Sequence, residues 1–136
     1  MIFGMPIMVI ILVVCIVFLT ASKKKASVWI DKKPKTISVI TSEKNNDEVF
    51  KKIVKFGQSG KYGIGAMDES KKVIVFEEKA SMSHMGFFYP VYVSTENNQT
   101  KIEIGIQGKM KEFKSILNKN HEAFLNSIKV ALFDAD

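Results

Sequence analysis

Arginine is missing altogether: all twenty basic side chains of this 136-residue chain are lysines. Bidentate recognition of phosphate or carboxylate, which the planar guanidinium fork serves best, is therefore disfavoured. Cysteine is almost as scarce. The single one, Cys15, lies in an apolar run, so no disulfide framework can staple a domain. Histidine occurs twice, at His84 and His121, with no cysteine beside either, and no zinc-type ligand spacing results.

Charge is missing too, from the first 22 residues; the first charged side chain is Lys23. Every residue from Ile7 to Leu19 is apolar. Residues 2–21 read as one membrane-spanning helix inside an anchor segment 1–22, since 22 residues at ~1.5 Å rise give about 33 Å against a hydrocarbon core of ~30 Å. The run is apolar all round and not along one stripe, and in lipid its β-branched residues still favour helix because the backbone must satisfy itself. A cleaved secretory signal wants a basic leader and a small-x-small site. Nothing basic precedes this run except the amino terminus, and Leu19-Thr20-Ala21 is a poor cleavage motif. Cys15 is also a poor acylation site, because Val14 stands where a small residue is needed.

Lysines set the expected orientation. Lys23, Lys24, Lys25, Lys32, Lys33 and Lys35 all follow the span and none precedes it, which predicts a single-pass protein with its domain on the cytoplasmic side. Residues 23–35 hold six lysines and one aspartate, whereas 36–136 hold fourteen lysines against thirteen acids. The basic character is thus juxtamembrane, and a nearly neutral domain loses the electrostatic case for nucleic acid. The six lysines, with Trp29 between them, are expected to contact the membrane surface and its anionic lipids, at ~1 kcal/mol per lysine.

Three segments follow: an anchor (1–22), a basic linker (23–35) and one domain (36–136). Thr36–Thr41 reads as a strand. Asn45 and Glu48 form a capping-box-like start for a short helix over Asp47–Phe56, which Gly57 is expected to stop. Tyr62–Met67 begins a second strand, and Val73–Glu78 is a third, rich in β-branched residues. Phe87–Ser94 is a fourth, with Pro90 pointing to an edge or a bulge. Glu96-Asn97-Asn98-Gln99 is a hairpin turn. Thr100–Gln107 alternates Ile102, Ile104 and Ile106 inward with Lys101, Glu103 and Gln107 outward, the pattern of an antiparallel strand with one wet face. A closing helix over Lys109–Leu132 carries Met110, Phe113, Leu117, Phe124, Ile128 and Ala131 as its stripe, with His121 filling the gap. The expected fold class is α+β: an antiparallel sheet of about five strands, packed by a short helix and a long C-terminal helix.

This order resembles the helix-grip superfamily, the START and polyketide-cyclase-like proteins. The first strand Ile37–Thr41, the helix start Asn46-Asp47-Glu48-Val49-Phe50 and the closing Glu122-Ala123-Phe124-Leu125-Asn126-Ser127-Ile128 carry the resemblance, across about 37–132. It implies a hydrophobic ligand held between a curved sheet and the last helix, although this domain is short for the family.

Motifs for chemistry fail on inspection. Gly60-Lys61 is followed by Tyr62 where a phosphate loop needs Ser or Thr. Gly60-Lys61-Tyr62-Gly63 mimics the loop of a KH domain, but the next residues read as strand where that loop needs a helix. Ser81, Ser83 and His84 could be drawn as nucleophile and base, yet no orienting acid is identifiable. Glu77 and Glu78 are consecutive and point to opposite faces of a strand. The aromatic group Phe87, Phe88, Tyr89 and Tyr92 is the remaining feature, read as core or as a groove for a hydrophobic ligand or protein partner. The expected function is a membrane-anchored, non-enzymatic binding or scaffold domain without cofactor or metal. A protein-interaction subunit of a membrane complex is the alternative, and a small membrane-bound enzyme comes third.

Overall fold

The computed structural model describes residues 26–58 and 60–133. The expected anchor 1–22, with Lys23, Lys24 and Lys25, lies outside them. Among the described residues no helix is long and apolar enough to cross a membrane.

The described elements run β1 (Thr36–Ser42), α1 (Asn46–Gly57), β2 (Gly63–Asp68), β3 (Val73–Glu78), β4 (Phe87–Glu96), β5 (Gln99–Gly108) and α2 (Lys114–Phe133). The strands form one sheet in the order β1-β5-β4-β3-β2, and every neighbouring pair is antiparallel. The chain is α+β, with both helices on one face. Alternation decides what goes there: Ile74, Phe76 and Glu78 of β3 point to the helices, and Val73, Val75 and Glu77 point away.

Local signals explain the boundaries. Asn45 accepts the Glu48 N–H at 2.9 Å and starts α1 as a helix cap. Asn97 and Asn98 both sit at positive φ, which the tight β4–β5 hairpin requires. Gly57 is the last residue of α1, one beyond the expected Phe56. A side chain there would come within 2.6 Å of Ile64 Cγ1 and 2.7 Å of Phe76 Cε1, so this glycine lets the helix lie against β2 and β3.

Pro90 departs from its expectation, because β4 is a central strand and not an edge. The ladder between β4 and β5 skips Tyr89 and Pro90, and Gly105 there has no Cβ to meet the rings of Pro34 and Pro90. The closing helix also starts later than its periodicity suggests. The Lys109 N–H still bonds Gly86 O, and the first turn of α2 hangs from Phe113 O, so 109–113 is a turn off the sheet. Met110 and Phe113 are consequently exposed, while His121, Phe124, Ile128 and Leu132 form the buried stripe.

The core lies between the sheet and the helices. Phe124 stacks on Tyr89 at 4.2 Å between ring centroids and 5° between planes, and Phe56, Tyr62 and Phe76 ring it at 5.8, 4.8 and 5.5 Å. Each such buried side chain is worth about 1.5–3 kcal/mol relative to exposure.

The opposite face is not wet. Residues 26–31, expected as linker, are helical and lie across it. Ala26, Trp29 and Ile30 pack with Val73, Val75, Phe88 and Tyr92 in a second cluster. The Tyr92 hydroxyl donates to Trp29 O and Lys32 O at 2.5 and 3.2 Å, Lys71 pairs with Asp31, and Lys33 pairs with Glu103 at 2.9 Å.

Candidate functional site

The chain leaves a cleft at one end of the core. Its volume is about 790 Å³, and it opens between the end of β3, residues 79–84 and the first turns of α2. Its floor is Glu78, a carboxylate only 3% exposed. Strand alternation puts this acid on the helix-facing side, where β3 has otherwise placed Ile74 and Phe76.

A buried carboxylate must be satisfied, and Glu78 is. Oε1 accepts the Tyr89 hydroxyl at 2.6 Å. Oε2 pairs with Lys61 Nζ at 3.0 Å and with His84 Nε2 at 3.4 Å. His84 is itself fixed, since its Nδ1 accepts the Gly86 N–H at 3.0 Å, which leaves Nε2 to carry the ring proton toward Glu78. Burial first, and then the Glu78 bond, push the Tyr89 phenol far above its ordinary range. Burial and the Glu78 charge raise Tyr62 as well. The hydrogen bond and charge of the same carboxylate hold Lys61 above its usual value.

Above this floor the walls are mixed. Ile64 and Ile116 are apolar, while Lys79, Lys119, Ser81, Ser83 and Asn120 carry polar groups to the rim. The two serine hydroxyls lie 3.1 Å from each other. Asn120, on the cleft wall, donates through Nδ2 to Ile116 O. Glu77 points to the far face and pairs with Lys109, so the two consecutive glutamates do not cooperate. Among the described residues no three His, Cys, Asp or Glu groups could hold a metal ion.

The aromatic residues singled out from the sequence are divided between two interiors. Phe87 and Tyr89 belong to the main core, Phe88 and Tyr92 to the cluster under residues 26–31, and all four are buried. Phe88 also edges a shallow cleft of about 360 Å³ with Val28, Trp29 and Lys109. Of the juxtamembrane set, Trp29 is half-buried on the sheet, with Lys32 Nζ 5.8 Å from its ring centre. Lys33 lies over the Tyr92 ring at 5.3 Å, and Lys35 is exposed. In the sequence Glu78 draws notice only as a pair with Glu77 and Lys61 only within a phosphate or KH loop; that the two meet was missed. The available signal was an acid at an inward position of a strand that otherwise buries aliphatic and aromatic residues.

No family model and no curated protein matches this sequence. Solved structures do match its fold. One is the crystal structure of Ara h 8.0201, a Bet v 1-like protein of helix-grip fold, with a TM-score of 0.54 at 11% identity over 71% of this chain and 92% of that one. Another is a structural-genomics protein from Nitrosospira multiformis, with a TM-score of 0.52 at 11% identity over 74% of this chain and 97% of that one. At such identity the likeness is one of fold: a five-stranded antiparallel sheet gripping a long closing helix.

Proposed function

We propose that this chain is a membrane-tethered, non-enzymatic binding domain whose ligand occupies the cleft above Glu78. The observation that carries the reading is the cleft itself, a cavity of ligand size at the mouth of a helix-grip core with a buried charged cluster as its floor. The space deeper between sheet and helix is filled by Phe56, Tyr62, Phe76, Tyr89 and Phe124. The ligand is therefore a small amphipathic molecule, not a large lipid swallowed whole. Its apolar part lies on Ile64 and Ile116, and an acidic group meets Lys79 and Lys119 at the rim. The absence of a catalytic role is supported by His84, whose two ring nitrogens are both engaged, and by the satisfied oxygens of Glu78.

Residues 1–22 supply the tether, and the lysines that follow place the domain on the cytoplasmic side. Native mass spectrometry of the full chain in mild detergent tests the cleft: a defined small-molecule adduct is expected, and Ile116→Trp, which fills the cleft, removes it. A co-purifying protein with no small-molecule adduct would replace this reading with an interaction subunit. Protease treatment of sealed vesicles tests topology. Digestion of the domain only from the outer side would defeat the cytoplasmic assignment.

A further inference from the structure

Two loops meet at the cleft end of the domain. Residues 79–86 connect β3 to β4, and 109–113 connect β5 to α2. They are joined by the Met85 N–H to Glu112 Oε2 bond at 2.9 Å and the Lys109 N–H to Gly86 O bond at 3.0 Å. Together they present Met82, Met85, Met110 and Phe113 at 107%, 51%, 58% and 78% exposure. Exposed apolar residues scattered singly need no explanation, but four large ones on two joined loops do. Lys79, Lys111 and Lys114 stand exposed around them and form no ion pair among the described residues. The one acid within 109–114, Glu112, is engaged by Met85 N–H.

The course of residues 26–31 says which way this end faces. Ala26 lies against Gly65 of β2, beside Glu77, where β3 is about to enter the 79–86 loop. Asp31 lies at the other end of β3, paired with Lys71. The chain therefore comes onto the sheet from the end that carries the exposed methionines. Ser22 and Ala26 are four residues apart, a reach of at most about 14 Å even fully extended. A bilayer spanned by residues 2–21 must then lie within that reach of Ala26, at the end of the sheet that carries the two loops.

We propose that Met82, Met85, Met110 and Phe113 dock into the surface of the bilayer that holds the anchor, with Lys79, Lys111 and Lys114 on its anionic headgroups. Apolar side chains at the acyl boundary flanked by lysines at the headgroups are the chemistry of an interfacial contact. The domain is thereby held in one orientation, with its cleft opening at the membrane. This inference rests on the anchor reading above, and the test separates the two.

The full chain carrying Cys15→Ala is reconstituted in nanodiscs of phosphatidylcholine and phosphatidylserine. An environment-sensitive fluorophore is attached at Met82→Cys or Phe113→Cys, and at Asn97→Cys on the far hairpin as reference. Quenching by lipids that carry a nitroxide on the acyl chain is expected to be several-fold stronger at 82 and 113 than at 97. It should weaken when phosphatidylserine is left out. Equal quenching at the three positions in a chain that stays with the disc would overturn the docking and spare the anchor. Failure of the chain to migrate with lipid would instead remove the anchor. A shielded but unquenched label in a particle holding two chains would assign the surface to a second copy and also overturn the proposal.

Discussion

The two faces of the sheet are built from the same strands yet are covered in unlike ways. The inner face lies under two helices, and among the described residues its cluster joins sixteen buried ones, with the rings around Phe124 at the centre. Among the described residues the outer face lies under residues 26–31, and its cluster joins five. Stability should reside in the first face. The second holds the domain against its tether, and Tyr92 is the fastener, because one hydroxyl reaches two backbone carbonyls of residues 26–32.

The largest expected effect breaks the inner face. Phe124→Ala removes a ring in contact with four others and should cost about 3–5 kcal/mol in denaturant unfolding. A loss well under that range would mean that α2 is not the main cover. Glu78→Gln comes next. It keeps the shape but removes the charge that Lys61 and His84 face, and a charged hydrogen bond is worth about 1.5–3 kcal/mol. Solvent screening of the largely exposed Lys61 places the cost near the lower end, read from the same unfolding curves. Tyr92→Phe sharpens the contrast from the other side. It should cost about 1 kcal/mol or less globally while raising hydrogen exchange locally over residues 26–33. Trp29 is the only tryptophan in the chain, so its emission should shift to the red in the same variant.

The smallest effect is one of pH. Burial, opposed in part by the bond to Ile104 O, holds the His121 pKa below its ordinary value. The unfolded chain then binds this proton more readily than the folded one. Stability is full above an unfolded pKa of about 6.5 and declines as pH falls through it toward the depressed folded value. Denaturant midpoints for the parent and His121→Gln across that window should differ in slope, the variant being flatter.

Much of the inner face was legible. Ile102, Ile104 and Ile106 are buried as their alternation requires, the Asn45 cap starts its helix, and Glu96-Asn97-Asn98-Gln99 turns the hairpin. These signals are local: a period of two, a side chain reaching an N–H three residues on, a backbone at positive φ. The errors share the opposite character. Pro90 reads as an edge residue because a missing N–H is a local fact, while Gly105 across the ladder is not. Met110 and Phe113 fit a helical period, but the Gly86 carbonyl 23 residues earlier keeps Lys109 on the sheet and ejects them.

By itself the sequence determined the uncharged run of 22 residues, the lysines that follow it and the strand and helix order of the domain, because period and composition act over a few neighbours. Only the tertiary structure decided that Phe88 and Tyr92 would be covered by residues 26–31, that Glu78 would collect Lys61, His84 and Tyr89, and that Met82 and Phe113 would share one end. The cover over Phe88 and Tyr92, the Lys61 pair and the meeting of Met82 with Phe113 depend on contacts between segments far apart in the chain. Such contacts are set by how the strands pair and by what the two helices leave uncovered, and no window along the sequence contains them.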